Sequence, residues 1–105
     1  MSVIMTLEVE GDPAELERVA AENPDRMRGI ADRAKVNGLI AHRFYGSGRR
    51  IMVVDEWPDP ESFERFFGQV RDEVGAMMQD AGTTGEPQPT FWRKLDTLDD
   101  VGWES

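Results

Sequence analysis

His42 is the chain's only histidine, and so the only side chain that titrates near neutrality without perturbation. On a strand bordering a pocket, it can act as a general base toward a phenolic or enolic proton. The carbanion so formed would react with O₂ without a cofactor. Its structural reading is a half-exposed residue on a sheet face or dimer seam, since no partner for it is evident from the sequence. Other residues suit an aromatic substrate. Tyr45 and Trp92 each combine a ring with a polar tip and can orient such a molecule. Phe63, Phe66 and Phe67 can wall a pocket, although their helical spacing equally describes core packing. Arg43 can hold a carboxylate or enolate oxygen, or can be a solvated strand-edge charge. Trp57, like Trp92, can line an aromatic pocket and donate its indole N–H to a quinone oxygen, but because it ends a strand-like run it reads as an anchor of a subunit interface.

Composition narrows the chemistry further. The 105 residues include 12 Lys and Arg, 21 Asp and Glu, and no Cys. Disulfides, thiolate zinc sites and cysteine nucleophiles are therefore excluded. A metal site would have to combine His42 with carboxylates, and the spacing of Glu8, Asp55 and Glu56 calls for none. Asp55 and Glu56 cannot form a catalytic carboxylate pair, because neighbours on a strand point to opposite faces. Gly46-Ser47-Gly48 falls in an expected hairpin turn rather than before a helix, so it is no phosphate loop. The formal net charge of −9 argues against nucleic-acid binding, which needs a basic stripe. No apolar run reaches the roughly 18 residues of a membrane span. Residues 1–5 lack the basic start of a secretory signal. A cytoplasmic protein without a cofactor is the expectation.

The elements that must position these residues follow from periodicity. Residues 3–9 alternate as a strand. Asp12-Pro13-Ala14-Glu15 carries an N-cap, a proline at the first helical position and a glutamate at the third. The helix it opens keeps one face from Leu16 to Ala34. Pro24 interrupts its hydrogen-bond ladder, predicting a kinked helix or two abutting segments that end at Asn37-Gly38. Residues 39–45 and 50–57 read as a hairpin joined around Gly46-Ser47-Gly48. Asp59-Pro60 opens a second amphipathic helix, and residues 90–95 form a last strand. Residues 1–95 make one domain, and 96–105 an acidic tail that is either loose or docked on a partner subunit.

The resulting order, β-α-β-β-α-β, is the ferredoxin-like α+β arrangement. It implies a four-stranded antiparallel sheet with two helices on one face. Apolar residues of both parities on the first and third strands (Val3, Met5 and Leu7 beside Ile4; Ile51 and Val53 beside Met52 and Val54) predict burial on both faces. A homodimer satisfies that requirement most simply.

Residues 37–45 and 51–63 resemble the dimeric α/β-barrel superfamily, specifically its antibiotic-biosynthesis-monooxygenase-like domains. Asn37-Gly38-Leu39 is similar to that family's Gly-led second strand. Asp55-Glu56-Trp57 resembles its strand end, and Asp59-Pro60-Glu61-Ser62-Phe63 its acid-capped helix with an early aromatic. The resemblance implies two sheets packed face to face and a pocket between each sheet and its helices. Family members include cofactor-free oxygenases of aromatic polyketides, quinol oxygenases and haem-degrading enzymes. The haem-degrading branch needs an Asn on the first strand and a Trp and His on the second helix. Thr6 and Leu7, and Phe66 and Ala76, stand there instead, which disfavours that branch. The functional expectation is a cofactor-independent monooxygenase of a small hydroxyaromatic, with His42 as base. The alternative is a non-catalytic module of the same fold that binds a small molecule or dimerises.

Overall fold

The computed structural model describes residues 2–85 and 87–103; Met1, Glu86, Glu104 and Ser105, and with them the end of the acidic tail, lie outside the described residues. Among the described residues, four strands and three helices follow in the order β1 (Val3–Glu10), α1 (Pro13–Glu22), α2 (Pro24–Val36), β2 (Ala41–Ser47), β3 (Arg50–Trp57), α3 (Pro60–Asp80) and β4 (Thr90–Trp92). The strands form one antiparallel sheet in the order β2-β3-β1-β4. The ferredoxin-like topology is the expected one.

The first helical stretch is two helices rather than one, and Asn23 is the reason. Its backbone N–H donates to the Val19 carbonyl at 3.1 Å, closing α1, while its side-chain oxygen accepts from the Arg26 N–H at 3.2 Å, opening α2. Pro24 then occupies the first turn of α2, where its missing N–H costs nothing. Asp12 and Asp59 cap α1 and α3 in the same way, accepting from Ala14 and Ser62. Two hydrogen bonds from Ser62, side chain and backbone, hold the Asp59 carboxyl below its usual range.

α2 ends in a Schellman motif. Gly38 adopts φ +103°, its N–H donates to Lys35, and the Leu39 N–H reaches back to Ala34. This termination takes Gly38 and Leu39 out of the sheet, so β2 begins at Ala41 and not at residue 39. The hairpin also turns later than expected. Ser47 pairs with Arg50, leaving Gly48-Arg49 as a two-residue loop. Gly48 at φ +58° supplies the left-handed first position that a type II′ turn needs. β4 stops at Trp92, short of residue 95, because Trp92 already pairs with Ile4 near the start of β1.

The helices cover the face that carries Met5, Val9, Ile51 and Trp57. At one end Met5 and Trp57 pack with Ala34, Phe63, Phe66 and Val70; at the other Val9 and Ile51 pack with Leu16, Val19 and Met77. None of these helices is long and apolar enough to cross a membrane. The opposite face carries Ile4, Thr6, Met52 and Val54, only partly buried, and the exposed Tyr45 and Trp92. No element of the described chain packs over it.

Helix α1 sits directly against β2 at Gly46. A Cβ there would lie 2.6 Å from Cγ and 2.7 Å from Cβ of Pro13. Gly46→Ala should therefore destabilise the fold by about 1–3 kcal/mol through overpacking. Gly29, within α2 and with nothing inside 4 Å of an added Cβ, should respond oppositely. Gly29→Ala should stabilise by roughly 0.5–1 kcal/mol. Urea titration of both variants against the parent measures the two signs.

Candidate functional site

Strand parity sorts the chemistry-bearing residues onto two faces. His42 and Phe44 on β2 point under the helices, whereas Arg43 and Tyr45 point to the open face. On β3, Val53, Asp55 and Trp57 turn inward and Glu56 turns outward, as adjacent strand positions must. The register sets His42 opposite Asp55, Asp55 opposite Met5, and Met5 opposite Phe91. One inward-facing row thus crosses all four strands, with the two ionisable residues at its β2 end.

Within that row His42 has a partner. Its Nδ1 lies 2.7 Å from Oδ1 of Asp55, and the other carboxylate oxygen accepts the Trp57 indole N–H at 3.0 Å. Asp55 is 4% exposed and Trp57 fully buried. Both carboxylate oxygens are engaged, as burial of such a group demands. An ionised carboxylate only accepts, so in the neutral ring this contact places the proton on Nδ1 and leaves the lone pair on Nε2. The imidazole is further held edge-on to Phe44, with ring centroids 5.2 Å apart. One third of the His42 side chain remains exposed.

His42 and Asp55 border a cavity of about 90 Å3 between the sheet and helices α2 and α3. Its other walls are apolar: Leu39 and Phe44 from before and within β2, Met27 from α2, and Phe63, Phe66 and Phe67 from α3. Phe63 stacks on Phe67 at 5.6 Å and meets Trp57 and Phe91 edge-on, each at 5.8 Å. The three phenylalanines therefore form one wall that continues into the core. The cavity is smaller than the roughly 300–1,000 Å3 usual for small-molecule sites. A multi-ring ligand enters only as the walls yield, and the flexible Met27 and the half-buried Phe67 are placed to do so.

Tyr45, Trp92 and Arg43 are not brought to this cavity. Arg43 donates to the Tyr45 hydroxyl at 3.3 Å, and Trp92 donates to the Thr6 hydroxyl at 2.8 Å, all on the open face. Trp57 was expected at a subunit interface. It lies at 0% exposure inside its own chain, because the odd parity of β3 turns it beneath the helices, and no partner can reach it. The pairing that sequence reasoning missed is that of His42 with Asp55, a residue weighed only as a metal ligand and as a neighbour of Glu56. The signal was present in the hairpin register. A two-residue loop at Gly48-Arg49 pairs each β2 position with the β3 position whose number brings the sum to 97, and so pairs His42 with Asp55.

No protein-family profile and no curated protein matches the sequence. Solved structures do match. A monooxygenase from the ActVA-Orf6 gene of Streptomyces coelicolor, in complex with Nanaomycin D, superposes with a TM-score of 0.68 at 15% identity, covering 95% of this chain and 93% of that one. A variant of SnoaB, a cofactor-independent oxygenase from Streptomyces nogalater, gives 0.63 at 20% identity over 94% of this chain and 98% of its own. A dimeric ferredoxin-like protein from an uncultured marine organism gives 0.65 at 14% identity, covering 95% and 93%.

Because His42 is the only histidine, its two ring nitrogens can be read without assignment in a long-range ¹H–¹⁵N correlation spectrum. At a pH where the ring is neutral, the protonated nitrogen should be Nδ1, and Asp55→Ala should abolish that preference. Trp57→Phe keeps a ring in place but strips Asp55 of its second donor. It should cost about 1–3 kcal/mol, the penalty for a buried polar group left unpaired, measured by chemical denaturation. Strand order, helix placement and superposition together make this chain a ferredoxin-like α+β domain with the fold of these solved structures.

Proposed function

We propose that the protein is a cofactor-independent monooxygenase acting on a small reduced hydroxyaromatic compound, with His42 as its base. The observation that carries this reading is the 2.7 Å contact between His42 and the buried Asp55 at the edge of an otherwise apolar cavity. Asp55 keeps Nε2 free to accept a proton and stabilises the imidazolium that results, the same division of labour by which a buried aspartate orients a catalytic histidine in hydrolases. The similarity to a cofactor-independent oxygenase and to a monooxygenase holding a ligand supports the same reading.

For an anthrone-type substrate, Nε2 removes a proton from the activated methylene or its enol. The carbanion delivers its electrons to O₂, forming a carbon–oxygen bond. His42 returns its proton to the peroxide to give the hydroperoxide. Loss of the second proton from the same carbon then breaks the O–O bond, leaving a carbonyl and a hydroxide that takes up that proton and leaves as water. Apolar walls favour this sequence because charge near His42 is poorly screened there, so the imidazolium is the counter-ion nearest the carbanion. Phe63, Phe66 and Phe67 hold the rings of the substrate.

The open sheet face belongs, in this reading, to a homodimer. Ile4, Met52, Val54, Tyr45 and Trp92 gather there, and apolar surface left in water costs roughly 25 cal/mol per Å2 relative to burial. Tyr45, Trp92 and Arg43 then serve the contact between subunits. The small volume of the cavity favours the second reading, a module that binds a small molecule without turning it over.

Oxygen uptake with a panel of anthrone and hydroquinone substrates separates the two. His42→Ala should reduce enzyme-dependent uptake at least about 100-fold, the scale of a lost general base. Asp55→Asn should lower kcat while leaving KM nearly unchanged. Uptake indifferent to His42 would discard this mechanism, and no uptake together with tight ligand binding would establish the binding module.

A further inference from the structure

Helix α2 is held very differently at its two ends. Of its residues only Ala34, in the last turn, is buried, whereas α1 buries Leu16 and Val19, and α3 is buried along most of its length. Asn37, itself buried, ties the C-terminal end to α3. Its side-chain N–H donates to Gln69 at 3.1 Å, and its side-chain oxygen accepts from Arg65 at 3.3 Å. At the N-terminal end, among the described residues, the one polar contact with α3 is Arg26 to Asp80, at 3.0 Å. Asp80 is more than half exposed, and an ion pair of that kind contributes little in water. The Arg26 Nε–H is buried with no acceptor among the described residues, a cost relieved when the side chain swings out to solvent. The contact is a weak latch.

What α2 covers gives this asymmetry a use. Met27, Ile30 and Ala31 point inward yet are only partly buried, because they face the cavity that His42 and Phe44 also line. Swinging them outward therefore breaks few packed contacts, whereas displacing α1 or α3 would uncover the core. The chain also supplies a joint. Asn23 separates α1 from α2 at φ −141° and ψ 68°, outside the helical region, so rotation there leaves the hydrogen bonds of both helices largely in place. The 13 residues of α2 make a rod of about 20 Å. A tilt of roughly 10° about Asn37 lifts its first turn by roughly 3 Å, comparable to the thickness of an aromatic ring.

We propose that α2 is a hinged lid over the His42 cavity, which turns about Asn37 and opens at its N-terminal end when Arg26 and Asp80 part. The open lid admits a planar ligand that the closed cavity is too small to take in. Closure brings Met27, Ile30 and Ala31 down on that ligand and excludes water from His42. The lid rests on the cavity being the ligand site proposed above, but not on any turnover.

The cysteine-free sequence lets the two ends of the lid be probed separately. Ala31→Cys places a thiol on its inner face and Ala34→Cys one at its anchored end, each with and without Asp80→Asn. Parting the latch should speed the reaction of the thiol at position 31 with a soluble disulfide reagent about two- to fivefold, the range a surface ion pair covers. The thiol at position 34 should be unaffected. Equal acceleration at both positions, or none at either, overturns the lid. In a second experiment Arg26→Cys/Asp80→Cys is bridged by ethylene bismethanethiosulfonate, which locks the lid until reductant cuts the bridge. The bridged protein should take up the dihydroxyanthraquinone dye alizarin at least about tenfold more slowly than the same protein after reduction, as expected when opening gates entry. Uptake at one rate in both forms overturns the lid and leaves the monooxygenase reading standing. No binding in either form overturns the cavity as a site for such rings, while the thiol rates still decide the lid.

Discussion

A carboxylate placed beneath an aromatic core must find hydrogen bonds or lose its charge, and this constraint on Asp55 organises the site. Its two oxygens take the protons of His42 and Trp57, one from the cavity edge and one from the deepest side chain of the core. Trp57 is fully buried against Phe63 and Phe66. Truncating such a residue typically costs about 3–5 kcal/mol, a large share of the roughly 5–15 kcal/mol that holds a domain together. The orientation of the imidazole is therefore tied to the packing of the core. Side-chain motion that would loosen His42 must either unpair Asp55 or disturb Trp57.

The same sheet serves two surfaces of different character. Its inner face meets three helices and is filled by Met5, Val9, Ile51 and Trp57. Its outer face carries apolar residues diluted by Glu8, Glu56 and Arg43 and has no cover among the described residues. A period of two divides them absolutely: a one-residue shift would move every side chain to the other face. That division explains why Tyr45, Trp92 and Arg43 part company with His42 although Arg43 adjoins it and Tyr45 is three residues away. It also explains how one sheet can line a cavity on one face and carry uncovered apolar residues on the other.

Much of this was legible from local chemistry. The aspartate-proline pairs at 12–13 and 59–60, the alternation of β1, and Asn37-Gly38 are signals whose physical causes lie within a few residues, and each marks an element boundary observed here. The double role of Asn23 was half visible, since Asn-Pro can cap a helix but also kink one. Strand ends were less legible. The start of β2 depends on which carbonyls the end of α2 needs to satisfy, and the end of β4 depends on where β1 begins. Neither is a property of the strand's own residues.

By itself, then, the sequence determined the element order, the helix caps, the amphipathic faces and the inventory of groups able to do chemistry. These depend on backbone propensity and on periodicity, which act over one turn or one pleat. Tertiary structure alone decided which of those groups meet. The pairing of His42 with Asp55, the burial of Trp57 and the exile of Tyr45 and Trp92 from the cavity all follow from hairpin register and from the side of the sheet on which the helices pack. Those choices are set by the burial of the whole apolar set at once. A lone histidine in the sequence becomes an oriented side chain, paired with Asp55, only when the fold chooses its face.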